Sequence, residues 1–337
     1  MTPEIGVMFR REQHPASLID YARRVEAMGF DQLWVVEDCF FMGGVAQAAI
    51  ALAATSRLTI GLGINPAVAR NPAFLAMEYA TLASAFPGRF IGGIGHGFGG
   101  WMAQVGAKPA SWLQSIDEVT TAVRRILRGE SVTAHGTYAN LDRVQLFDPP
   151  PIVPPVLLGV QSEKSLRVAG RCADGLLLAE GAGPDYVRWA REQMMIGRAD
   201  SGRDGAGMVV VYAYCMVDDA APATARGHIR DAVAAMNGSG LQPSAIRLPY
   251  ANAMADMAAR GGADALRAEM PDAWLDDLAI TGTGDEALAS MARLANAGGN
   301  AVVLVPPDDV DVDAWLDGAF MHRASGLRSL GNVEPAG

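Results

Sequence analysis

The stretch FIGGIGHGFGGW, residues 90–101, sets His96 between two glycines. An imidazole changes charge near neutral pH, so a strand-end histidine can bond or protonate a ligand. WVVEDCF, residues 34–40, adds the Asp38 carboxylate and the Cys39 thiol. Asp38 can orient a ligand or a donor, or cap the next helix. Cys39 is a candidate pocket thiol, but no adjacent histidine lowers its pKa, which favours an inert group. Glu37 alternates to the opposite face of its strand and reads as structural. His14, with Arg10, Arg11 and Glu12, falls in the first strand-to-helix loop, where it either meets substrate or is simply solvated.

Gly95, Gly97 and Gly100 spell G-x-G-x-x-G. A dinucleotide-binding turn needs a helix that begins at the glycines, so that its N–H groups face a pyrophosphate. Here Pro109 and Ser111 place the clear helix more than ten residues later, and the motif follows the fourth strand rather than the first. Glu118, near the spacing of a ribose-binding acid, is more simply the partner of Ser115 in a capping box. Strand-end glycine instead lets a flat ring approach the backbone with no Cβ in the way, which makes the run a pocket floor.

Short β-rich runs alternate with helical patterns from the first residues onward, the pattern of a parallel sheet built from βαβ units. Strands are expected at 4–9, 32–38, 58–64, 89–97, 155–160, 175–181, 208–217 and 301–307. Eight strands with intervening helices predict an α/β fold of the (β/α)8 TIM-barrel type, with insertions around 130–151 and 237–280. A possible hairpin near His135–Gly136 lies in the first insertion. The second is rich in Ala, Met and Gly, and its ANAMADMAARGGA segment reads as gap-filling core or as a lid. We expect a single barrel domain over 1–330 and a flexible tail over 331–337.

The net charge of −10, with no Lys/Arg stripe, argues against nucleic acid. Three cysteines, odd in number and far apart, suggest neither a disulfide framework nor a metal cluster, so no metal is expected and a reducing cytoplasm is. No basic n-region precedes a long apolar run and no 18-residue apolar run occurs, so neither export nor membrane insertion is expected.

The segments WVVED, GLGINPAVARNP, PGRFIGGIGHG, GVQSEKSLRVAGRCADGLLL and YAYCMVDD, in that order, resemble the bacterial-luciferase-like superfamily of flavin and deazaflavin oxidoreductases. The nearest branch is that of enzymes using coenzyme F420, a deazaflavin, such as methylenetetrahydromethanopterin reductase and F420-type glucose-6-phosphate dehydrogenase. The resemblance implies a homodimer whose cofactor ring lies across the C-terminal strand ends. It also implies a bulge with a non-prolyl cis peptide at Leu62, Gly63 and Ile64, before Asn65. Asp38, His96 and Gly97, read from their strand-end positions, are further candidates to meet the ring. By the resemblance the phosphate and tail meet Gly159, Val160, Gln161 and Ser162, with Ala179, Glu180 and Gly181 after the sixth strand.

Departures from the family narrow the chemistry. Where relatives carry an Asp-His pair this chain has Asp38–Cys39, Phe98 stands where they place a carboxylate, and Met8 replaces a glutamate. Neither relative's substrate is therefore expected. Met8, His14, Phe40, Phe98 and Trp101, with Phe41 and Met42, suggest an apolar substrate pocket. His96 is the first candidate to protonate a substrate as hydride reaches carbon, or else it bonds a ring carbonyl; Asp38 and Cys39 complete the catalytic candidates. The leading expectation is F420-dependent hydride transfer to an imine or activated C=C bond. The alternatives are an FMN-dependent monooxygenase and a non-catalytic flavin-binding protein.

Overall fold

The computed structural model describes residues 3–318 of the 337, so the expected tail over 331–337 lies outside the described residues. In chain order the elements are β1 (Glu4–Met8), α1 (Leu18–Ala27), β2 (Gln32–Val35), α2 (Gly44–Ala54), β3 (Thr59–Pro66), α3 (Pro72–Ala85), β4 (Phe90–Gly95), α4 (Gly99–Gln104) and α5 (Trp112–Leu127). Then follow β5 (Val132–His135), β6 (Asn140–Val144), β7 (Val156–Gly159), α6 (Glu163–Cys172), β8 (Gly175–Leu178), α7 (Pro184–Asp200) and β9 (Met208–Val217). The remainder are α8 (Pro222–Asn237), α9 (Ala251–Glu269), α10 (Asp272–Leu278), β10 (Ile280–Gly282), α11 (Gly284–Asn296) and β11 (Ala301–Val305).

The eight expected strands are β1, β2, β3, β4, β7, β8, β9 and β11. They neighbour one another in that order, and β11 lies beside β1. The fold is a (β/α)8 barrel with helices between its parallel strands. Among the described residues, contacts divide the chain into two compact units: Gly6–Leu177 with Arg191–Val209, and the remainder.

In the first unit Trp34 is fully buried and donates from Nε1 to Gln32 Oε1 at 2.7 Å. Its ring occupies the space beside Gly61, where a Cβ would fall 2.3 Å from it. Burying about 200 Å² of such a ring at about 25 cal/mol per Å² is worth about 5 kcal/mol as an upper estimate. The β5–β6 hairpin is antiparallel, as the first insertion suggested. Glu118 pins it, accepting from the N–H of Tyr138 at 2.7 Å and of Ala139 at 3.2 Å. The expected Ser115–Glu118 capping box is therefore corrected. Helix α5 starts earlier, at Ser111, whose hydroxyl accepts from the Gln114 N–H, and Ser115 is buried within the helix. A true capping box, Thr283 with Glu286, opens α11.

In the second unit the 237–280 insertion is a helical layer with one added strand. Met254, Leu266 and Met270 pack with Ile229 and Val233 of α8, which supports core rather than lid for the methionine-rich segment. Strand β10, three residues long and unmarked in the sequence, pairs with Cys215–Val217 of β9. No helix among the described residues is long and apolar enough to cross a membrane.

Candidate active site

The tips of β2, β3, β4 and β7 all belong to the first unit, and they carry most of the expected site. The Gly63–Ile64 peptide is cis, at the position the resemblance implied, and the β3–β4 register shifts between Leu62 and Asn65. Ile64 lies against three glycines. A Cβ on Gly95 would come 2.8 Å from Ile64 Cδ1, one on Gly159 2.7 Å from its Cγ2, and one on Gly93 3.1 Å from Cγ2 and 2.3 Å from the Leu62 carbonyl. Gly92 leaves room in the same way for the ring of Tyr79. The glycine run thus has a specific steric cause, and the direct one is not a ligand: the glycines admit Ile64 and Tyr79. A short helix, α4, does begin at Gly99, contrary to the sequence expectation, but it spans only six residues. Gly97 takes φ +71°, a conformation open to glycine but strained for other residues, and turns the chain off β4.

His96 follows β4 directly. Its Nε2 stands 3.2 Å from Ser165 Oγ, which is 3.0 Å from Ser162 Oγ. Trp112 packs edge-on against the imidazole, with centroids 5.7 Å apart. The Nδ1 atom is buried and has no hydrogen-bond partner among the described residues. Burial holds the imidazole pKa below its ordinary value, because the cation is desolvated there. Desolvation thus favours the neutral ring, in which one nitrogen donates and the other accepts.

At the tip of β2, Arg11 donates to Asp38 Oδ2 at 2.8 Å, and its guanidinium lies 5.1 Å from the centre of the Phe41 ring. The loop read as solvated therefore supplies Asp38 with its charge partner. Cys39 precedes a second cis peptide, Cys39–Phe40, which the sequence did not signal. Burial raises the thiol's pKa, and Glu37 and Asp38 raise it further, which favours the neutral thiol over the nucleophilic thiolate at Cys39. Glu37 turns away to pair with Arg70 and to accept from the Gly44 N–H at 2.9 Å, a structural role. Phe40 is 64% exposed and Phe98 63%, and Phe98 meets Trp101 edge-on at 5.2 Å.

The other candidates divide. Leu62 points toward α2, against Gly44, and Asn65 is fully buried, accepting from the Tyr79 hydroxyl at 2.9 Å. Met8 is buried in register with Trp34. His14 caps the turn at Pro15–Ser17, its Nδ1 accepting from the Ala16 N–H at 3.2 Å, which gives this exposed histidine a local structural task. Val160 is buried, Gln161 half-buried, and Ser162 is the exposed first-turn cap of α6. Ala179, Glu180 and Gly181 follow β8 in the second unit, where Gly181 has φ +78° and a Cβ on it would meet Met236. Sequence reading missed Ser165, Trp112 and the pairing of Arg11. The first had a readable signal in the Ser162-x-x-Ser165 spacing at a strand-to-helix junction.

A barrel whose strand tips bear a histidine, a glycine-backed isoleucine and exposed aromatics is laid out as an enzyme of the strand-tip type. The chain belongs to the luciferase-like monooxygenase family, whose profile matches residues 1–301. It is 28% identical over 311 residues to a 5,10-methylenetetrahydromethanopterin reductase of Methanolobus tindarius, covering 90% of this chain and 94% of that one. It is also 28% identical over 205 residues to an F420-dependent glucose-6-phosphate dehydrogenase of Microbacterium testaceum, covering 57% of this chain and only 60% of that enzyme's length. The solved structure of the coenzyme F420-dependent tetrahydromethanopterin reductase from Methanopyrus kandleri superposes with a TM-score of 0.78 at 20% identity, covering 98% and 99% of the two chains.

Proposed function

We propose that this protein is a coenzyme F420-dependent oxidoreductase that moves a hydride between C5 of the deazaflavin and an apolar organic substrate, reducing an imine or an activated C=C bond. The observation that carries the reading is the platform of Ile64 over Gly93, Gly95 and Gly159, with a buried His96 nitrogen that has no partner among the described residues. A flat heterocycle needs an apolar, side-chain-poor support and a polar group at its edge, and this pair fits it. The F420-dependent relatives named above support the choice of coenzyme.

Gly63 and Ile64 would support the ring, and backbone N–H groups at Gly159–Ser162 would face its phosphate. Asp38, held by Arg11, would border the ring. When bound, the deazaflavin supplies the hydride. Phe40, Phe41, Phe98 and Trp101 would cover the bound ring against water, and His96 would provide the proton. The uncharged surroundings of His96 and the exposed aromatics favour an apolar substrate.

The family's monooxygenase description favours a second reading, an FMN enzyme that activates oxygen. The purified protein is titrated with oxidised F420 and with FMN, each followed by fluorescence quenching, and the reduced F420 complex is then mixed anaerobically with cyclic imines and enones. Saturable F420 binding followed by oxidation of the coenzyme is expected. Tight FMN binding with none for F420 would end the proposal in favour of the monooxygenase, and binding without turnover would favour a non-catalytic flavin carrier. We also infer a homodimer. Ile50, Phe74 and Met77 are exposed apolar side chains on α2 and α3.

A further inference from the structure

We propose that Ser162, Ser165 and His96 form a proton wire that feeds the active site from solvent, with Ser165 as the positioning residue that fixes which nitrogen of His96 carries the proton. The inference rests on the hydride-transfer reading above and adds to it the source of the proton. Three observations place the wire. Ser165 is 3% exposed, yet its hydroxyl lies within bonding distance of both His96 Nε2 (3.2 Å) and Ser162 Oγ (3.0 Å). Ser162 is exposed, so the outer end of the chain meets water. At the inner end, His96 Nδ1 is buried without a hydrogen-bond partner among the described residues.

Ser162 is the N-cap of α6, but its hydroxyl makes no cap bond to the helix. Its contact with Ser165 takes the place of the cap that a serine there ordinarily provides. The packing thus forgoes a local stabilisation and gains a continuous line of exchangeable hydrogens. Trp112 packs edge-on against the imidazole, with centroids 5.7 Å apart.

A neutral imidazole has one donor and one acceptor nitrogen. With Ser162 donating to Ser165 and Ser165 donating to Nε2, the ring is held as the Nδ1–H form. In reduction of an imine, the carbon would receive a hydride with its electron pair, the chemistry the bound reduced coenzyme would supply. The imine nitrogen takes the proton from Nδ1. The Nδ1–H bond breaks as the Ser165 proton arrives at Nε2, the Ser162 proton passes to Ser165, and a water at the exposed end gives its proton to Ser162, its hydroxide being neutralised by bulk buffer. The product is the amine, and exchange with solvent after its release restores the starting tautomer.

Long-range proton–nitrogen NMR on the 15N-labelled full-length protein, without coenzyme, reads the tautomer directly. His96→Gln identifies the signal among the five histidines. The wild type is expected in the Nδ1–H form, and Ser165→Ala is expected to move the ring mainly to Nε2–H, the form a free side chain prefers. In F420 turnover Ser165→Ala should lower kcat about 10-fold with KM unchanged. Ser162→Ala, at an exposed position, should keep the tautomer, lower kcat about threefold and change the solvent deuterium isotope effect. An Nε2–H ring in the wild type, or a tautomer indifferent to Ser165→Ala, overturns the wire. Should Ser165→Ala not fold, an unchanged isotope effect in Ser162→Ala overturns it as well. Failure of the F420 reading would show instead as absent coenzyme binding, with the NMR result intact.

Discussion

Helix α6 ends in two different ways. At its C-terminus three guanidiniums cover the last carbonyls: Arg124 donates to Cys172 O at 2.9 Å, Arg203 to Ala173 O at 2.6 Å and Gly170 O at 3.0 Å, and Arg198 to Ala173 O at 3.4 Å. Asp174 pairs with Arg124 through two oxygens and also accepts from the Val156 N–H at 3.0 Å. At its N-terminus no side chain among the described residues caps the helix, and the two serine hydroxyls run toward a histidine whose Nδ1 has no partner among them. Cations at a helix C-terminus and a matched carboxylate are what stability asks for. Unspent hydrogen-bonding capacity at the other end is what binding and proton transfer ask for. In a (β/α)8 barrel these ends lie on opposite faces, the lower serving stability and the strand-tip face chemistry.

The largest expected effect tests the stable end. Asp174→Ala leaves Arg124 nearly buried with no anion, close to Arg198 and Arg203. Arg203 is already pushed down to about 10, first by burial and then by Arg124 and Arg198, so positive charge there is crowded. Losing the one carboxylate should cost about 3 kcal/mol, the lower range for a broken buried pair because Asp174 is partly exposed. Chemical denaturation should show that loss while the His96 NMR signal stays unchanged. A variant as stable as the parent would remove the contrast between the two ends.

Next in size is His96→Gln at the functional end. Removing a general acid should lower turnover by about 100-fold, close to 2.7 kcal/mol in the barrier. The same variant carries a pH signature. The folded-state pKa of His96 lies below its ordinary 6.5, so the unfolded chain binds the proton more readily. Stability from this group is complete above pH 6.5 and declines as pH falls from there toward the folded-state pKa. In a comparison of urea unfolding at several pH values, the parent should lose more stability than His96→Gln across that interval. Parallel curves would mean that burial does not shift the group.

All eight barrel strands were legible because each is a short apolar run bounded by glycine, proline or charge, and period and punctuation suffice to find such runs. Strand β10 was not, since three residues carry no period and its pairing with Cys215–Val217 depends on a long insertion folding back. The site was half legible. His96, Gly63–Ile64 and Ser162 stand out by type or by family pattern, whereas Ser165 and Trp112 sit within amphipathic helices that read as ordinary packing faces. The glycines of β4 were visible but their partners were not: Ile64 and Tyr79 lie about 30 and 13 residues upstream of them, and a sequence does not show which side chain occupies the space a missing Cβ leaves.

That gap suggests a third experiment. Gly95→Ala would set a Cβ 2.8 Å from Ile64 Cδ1 and 2.9 Å from the Gly159 carbonyl. The side-chain end can move but the carbonyl cannot, so the overpacking should cost about 2 kcal/mol. Displacing Ile64 should also weaken coenzyme binding about 10-fold in the fluorescence titration. Ile64→Val combined with Gly95→Ala should recover part of both, because it removes the Cδ1 atom that collides. If the double variant is no better than the single one, the collision with Gly159 dominates and Ile64 is not the platform.

The smallest effect concerns Arg11. Its ion pair with Asp38 is partly exposed at both ends, the range in which such pairs contribute about 0–1 kcal/mol. Arg11→Gln should therefore leave the unfolding midpoint almost unmoved, in contrast to Asp174→Ala, although both remove one member of an Arg–Asp pair. The difference should appear in binding. Without its partner, Asp38 regains an unpaired carboxylate beside Phe40 and Phe41, and the guanidinium no longer holds the Phe41 ring. KM for an apolar substrate should rise several-fold with kcat held within a factor of two. If stability falls by as much as it does in Asp174→Ala and KM stays put, the tip of β2 is a structural clamp, and the division of labour between the two barrel faces does not extend to charge pairs.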